Sequence, residues 1–123
     1  MKILNTEQLA KLPEGVLFSE YEPCKFGELK IKGETGYISD KGWASITGAC
    51  VNEIEDNWNN NSLAAGDSSP LDTESCTRDV YHDKQLFAVW GIADLFKLAE
   101  IVDRALSVGE ILPEAIAAVE FKL

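Results

Sequence analysis

The sequence predicts an α+β fold: an antiparallel sheet of four to six strands with one long helix from the C-terminal half packed on a face. Three observations predict it. Glu28-Leu29-Lys30-Ile31-Lys32 alternates polar and apolar with the period of a half-buried strand. Gln85-Leu86-Phe87-Ala88-Val89-Trp90 is a continuous apolar run of strand length. From Ile92 to Leu106, apolar residues recur at helical spacing on one face, at 92, 95, 96, 99, 102 and 106.

The elements follow in order. Asn5 or Thr6 caps a short helix over Glu7–Lys11, stopped by Pro13 and Gly15. Val16–Tyr21 is rich in β-formers and ends at Glu22-Pro23, and a turn over Pro23–Gly27 leads into the alternating strand over Glu28–Glu34. The pair predicts an antiparallel hairpin, with Leu29 and Ile31 inward and Lys30 and Lys32 outward. Asp40-Lys41-Gly42 turns the chain into a third strand around Trp43–Thr47, while Ala49–Glu55 fits strand and helix equally. Residues 56–70, rich in Asn and Ser, form a long polar loop with Trp58 as its odd member. The apolar run 85–90 is a central strand, Gly91 caps the helix and Gly109 stops it. Val119-Glu120-Phe121-Lys122-Leu123 alternates again and predicts a closing strand.

A length of 123 residues suits one domain spanning the chain, and 46% apolar content suffices for a core. Its net charge of −10 sets it against DNA, RNA and anionic membranes as partners. That charge is uneven. Residues 1–42 carry six lysines and seven acids, whereas residues 43–83 carry eight acids and only Arg78. An acidic middle serves solubility, or it is a recognition surface for a basic partner. Three cysteines without a CxxC pair, no apolar leader after Met1 and no run of membrane-spanning length together place the chain in a reduced cytoplasm.

The chemistry the sequence offers is limited. Cys76, Asp79, His82 and Asp83 are close in sequence, but one thiol and one imidazole with hard carboxylates make a poor zinc set, and a turn with local ion pairs accounts for them. Neither a GxSxG elbow nor a GxxxxGK[ST] loop is present, and a single histidine leaves few acid–base arrangements. No catalytic residue, metal or cofactor is assigned. Anion binding is the best-supported chemistry: Lys30 and Lys32 share a strand face, Arg78 adds a bidentate donor, and Tyr21 and Trp43 offer stacking or lining surface. The broad apolar face of the long helix is either covered by the sheet or mediates a homo-oligomer.

The run Leu12-Pro13-Glu14-Gly15-Val16-Leu17-Phe18-Ser19-Glu20-Tyr21-Glu22-Pro23-Cys24-Lys25-Phe26-Gly27 resembles the opening of a family of small phage and prophage accessory proteins. Ile31-Lys32-Gly33-Glu34-Thr35 and Gln85–Trp90, followed by Asp94, Leu95 and Leu98, are similar to the same family. The resemblance implies an antagonist of host defence working in the host cytoplasm, and it carries over no catalytic residues. Two expectations follow. One is a non-enzymatic, oligomeric sponge that sequesters a small anionic nucleotide signal through Tyr21, Lys30, Lys32, Trp43 and Arg78. The other is an acidic, anti-CRISPR-like inhibitor of a host defence protein, using Asp56, Asp67, Asp72 and Glu74.

Overall fold

A computed structural model describes residues 1–23, 25–51, 53, 54, 64, 65, 67, 71, 72 and 76–121. The chain forms two units, one holding the sheet and the first helix, the other holding two C-terminal helices.

The sheet unit begins with β1 (Lys2–Asn5) and α1 (Thr6–Ala10). Asn5 closes a capping box: its side chain accepts from the Gln8 N–H at 2.9 Å, and Gln8 Oε1 accepts from the Asn5 N–H at 2.9 Å. Reciprocal satisfaction of two orphan donors is why so short a helix starts where it does. Then come β2 (Leu17–Glu22), β3 (Lys25–Phe26), β4 (Lys30–Ile38) and β5 (Ala44–Cys50), followed by β6 (Glu53–Ile54) paired with β7 (Leu71–Asp72). Strands β8 (Cys76–Tyr81) and β9 (Leu86–Val89) complete the main sheet. Its order is β1-β9-β2-β4-β5-β8, with β3 beside β2, and every pairing is antiparallel. Gly42, at φ +87°, supplies the left-handed residue that the β4–β5 turn needs.

The α+β class and the antiparallel sheet are as the sequence predicts, and β9 does lie inside the sheet. Four details differ. Strand β1 is too short to show a period. Strand β8 occupies the Arg78–Asp79 segment that reads as a turn, because its pairing with β5 is a long-range contact. The apolar face of β4 is reversed: Lys32 is 3% exposed and Lys30 faces the core side, since Phe18 on β2 lies opposite Lys30. A strand alternation fixes the two faces but not which one is covered. Finally, the expected closing strand is helical up to Phe121.

The core lies on one face of the sheet, where Leu9 and Ala10 of α1 meet Phe18, Ala44, Ile46, Tyr81 and Phe87. Phe87 is its centre, edge-on to Phe18 at 5.9 Å and to Tyr81 at 4.9 Å between ring centroids. Buried Thr6 donates its hydroxyl to the His82 carbonyl at 2.6 Å, tying α1 to the β8–β9 link.

The second unit contains α2 (Ile92–Gly109) and α3 (Leu112–Phe121). The Gly91 N–H donates to Asp94 Oδ2 at 2.9 Å at the start of α2. Gly109 does not stop the helix in a left-handed turn; Glu110 caps it in the αR region, and α3 begins two residues later. Pro113 is tolerated in the first turn of α3, and Ala115, Ala117 and Ala118 outweigh five alternating residues. Among the described residues, no helix is long and apolar enough to cross a membrane.

Replacing Phe87 by Ala should cost about 3–5 kcal/mol by loss of both ring contacts and the cavity left behind. The same truncation at exposed Val80 should stay within about 0.5 kcal/mol. Urea unfolding of the two variants checks the contrast.

Candidate functional site

Along β2, Phe18, Glu20 and Glu22 point to the same face, so the face that starts in the core ends in charge. Past the edge of the core this face opens into a recess of about 310 Å³. Glu20 and Glu22 line one side, and Lys25 of β3 and Lys30 of β4 another. Gly27, Glu28 and Gln85 complete the wall. Gly27 is needed for close approach: its N–H donates to the Glu20 carbonyl at 2.8 Å, and a Cβ there would come within 3.3 Å of Glu20 Cβ.

Lys30 reaches its position over a bare glycine. Gly48 of β5 carries no side chain, and Lys30 Cδ lies 3.4 Å from where a Cβ would be. The stem therefore crosses β5, and its ammonium sits 3.5 Å from Asp79 on β8. Burial pulls the Lys30 ammonium down, but Tyr81, Asp79 and Glu20 together outweigh it and raise its pKa above the ordinary value. Tyr81 donates its hydroxyl to the same Asp79 carboxylate at 3.5 Å. Burial, seconded by the negative charge of Asp79 and Glu20 against the opposing Lys30, pushes the Tyr81 phenol up to about 12. On the far side, the Cys50 thiol donates to Glu28 Oε2 at 3.1 Å.

The recess wall holds three carboxylates and two ammonium groups, and one of those ammoniums already faces Asp79. Its charge is in surplus on the negative side. A cationic group such as a guanidinium or ammonium is the guest this arrangement accepts best. A second recess of about 310 Å³ lies on the opposite face of β2, where Ser19 meets carbon-rich walls from Met1, Phe26, Leu29 and Trp90.

The five residues expected to bind an anion are not brought together. Only Lys30 lines the acidic recess. Lys32 is turned into the sheet, its ammonium donating to the Gly33 carbonyl and to Thr35 Oγ1, each at 3.1 Å, and burial lowers its pKa against the pull of Glu14. Arg78 and Tyr21 lie on the other face by strand alternation, Arg78 within 3.9 Å of Glu34 and Tyr21 stacked at 5.5 Å on Phe26. Trp43, 47% exposed, stands beside His82 at the β4–β5 turn. Asp67 is exposed and accepts from the Ala64 N–H at 2.8 Å. Asp56, Trp58, Glu74 and the Asp72 side chain lie outside the described residues. Among the described residues no cluster of three metal-ligating groups occurs.

Glu20, Glu22, Glu28 and Gln85 are absent from any sequence reading of the site. Their signal was available in part: Glu20 and Glu22 continue the period of Phe18, so the strand's inner face changes from apolar to charged. Glu28 and Gln85 lie just before β4 and β9, outside the paired residues, and no local pattern marks them. Compared with protein-family models, with curated proteins and with solved structures, the chain gives no match.

One group reports on this site directly. An unfolded tyrosine ionises near 10.0 and Tyr81 near 12, so the neutral phenol stabilises the folded state fully below the lower value. This contribution is lost as pH rises through the higher one. Absorbance of phenolate should show one late tyrosine in the folded protein, missing in Tyr81→Phe.

Proposed function

We propose that this protein acts by binding and not by catalysis, as an acidic inhibitor that docks on a basic surface of a host defence protein. The observation that carries the reading is the carboxylate surplus of the recess, where Glu20, Glu22 and Glu28 outnumber the ammonium groups of Lys25 and Lys30. An arginine or lysine side chain entering there gains charge-assisted hydrogen bonds in a partly enclosed site. The chain's net charge of −10 adds long-range attraction and speeds encounter with a basic groove. Such a groove is where a defence nuclease holds nucleic acid, so the docked protein competes with the substrate. The resemblance to phage accessory proteins supplies the biological setting.

A second reading, sequestration of a small anionic nucleotide, is favoured by Lys25 and Lys30 lining the same recess. In that reading the phosphate sits between the two ammonium groups, and the protein holds the ligand intact.

Calorimetry separates the two. An arginine-rich peptide should bind, more weakly as salt rises, and Glu20→Gln with Glu28→Gln should lower affinity about tenfold, or ~1.4 kcal/mol. A panel of cyclic nucleotides should give no heat. Nucleotide binding that disappears in Lys30→Ala, with no binding of the peptide, would replace the inhibitor by the sponge.

A further inference from the structure

The second recess, on the sheet face away from the core, takes no part in the acidic site. Its shape follows from register. Ser19 of β2 pairs with Ala88 of β9, so two small side chains stand side by side and leave the floor low. Larger side chains rise around it, with Met1, Phe26, Leu29 and Trp90 as walls. Every lining residue belongs to the sheet unit, so the recess is complete within that unit.

Three of the walls are pinned. The Trp90 N–H donates to the Leu17 carbonyl at 3.0 Å, and the Val51 N–H donates to the Leu29 carbonyl at 3.0 Å. The Phe26 ring lies against Tyr21. A guest entering walls already in place is spared the cost of ordering them.

Ser19 gives the recess its chemistry. The residue is only 3% exposed, yet among the described residues its hydroxyl has no hydrogen-bond partner. No fully enclosed side-chain oxygen or nitrogen among them lacks a partner, so this hydroxyl is not sealed away; it opens into the recess that Ser19 lines. A hydroxyl so deeply set is poorly compensated, and a guest with a matching polar atom recovers the deficit.

We propose that this recess binds a small uncharged aromatic molecule carrying one hydroxyl, of the phenol type. The ring packs among Phe26, Leu29 and Trp90, where contacts between aromatics add to burial, and its oxygen meets the Ser19 hydroxyl. The volume of about 310 Å³ stands at the low end of ligand pockets and keeps the guest small. No charged side chain lines the recess, so an ionised guest loses hydration there without gaining a counter-charge. The site lies on the opposite face from the acidic recess, and neither reading needs the other.

Equilibrium titrations of the full chain with p-cresol and with toluene, followed by NMR, test it. The wild type should bind p-cresol with a Kd below about 1 mM. Ser19→Ala should weaken p-cresol about fivefold and leave toluene unchanged, because only the cresol oxygen uses the hydroxyl. Phe26→Ala, at the exposed rim, should weaken both, and Val80→Ala, outside the recess, should weaken neither. Late ionisation of Tyr81 shows that each variant is folded. The proposal is overturned if p-cresol does not bind the wild type, or if its affinity survives Ser19→Ala or Phe26→Ala unchanged. Binding of p-toluate as tight as that of p-cresol overturns it too.

Discussion

Lys30 laid across Gly48 is the interaction on which the character of this molecule depends. A glycine at the centre of β5 lets a lysine stem lie flat on the sheet and carry its charge from β4 to Asp79 on β8. With Asp79 half open to water, the ion pair itself adds little to stability. Its larger effect is on charge balance. Lys30 is held toward Asp79 and the Tyr81 hydroxyl with Glu20 also acting on it, and the wall still carries three carboxylates, Glu20, Glu22 and Glu28, against two ammonium groups. The carboxylate surplus of the recess thus surrounds a residue that, viewed alone, argues for a negative guest.

The same strand explains how far sequence reasoning reaches. Period two in β4 and apolar continuity in β9 are local properties, and both strands lie close to where those patterns put them. The capping box at Asn5 and the helical stripe of α2 are local in the same sense. What stays hidden is pairing. Strand β1 has four residues, and β8 consists of Cys-Thr-Arg-Asp-Val-Tyr, whose strand character comes from six partners on β5. The inner face of β4 is a tertiary choice as well: Phe18 opposite Lys30 selects the lysine face for cover. Anion-binding residues gathered by type therefore scatter, Tyr21 and Arg78 to one face, Lys30 and Lys32 to the other. A charged face that continues an apolar one, as Glu20 follows Phe18, is the better guide to a site at a core's edge.

Negative charge is unevenly placed in this chain. The sheet unit concentrates negative charge where a shaped recess can use it, while α2 nearly balances its own.

Strand order has a consequence for how the protein is made. Lys2 of β1 lies opposite Val89, and β2 has β9 as its other neighbour. The hairpin of β4 and β5 closes over a short turn and is available early, at little entropic cost. Strand β1 has no such option; like the β9 side of β2, it waits until β9 has been made, Val89 lying 87 positions after Lys2. Maturation of the sheet is therefore a late zippering event governed by one four-residue segment, and slow, distant closures of this kind are where a newly synthesised chain is most open to misassociation.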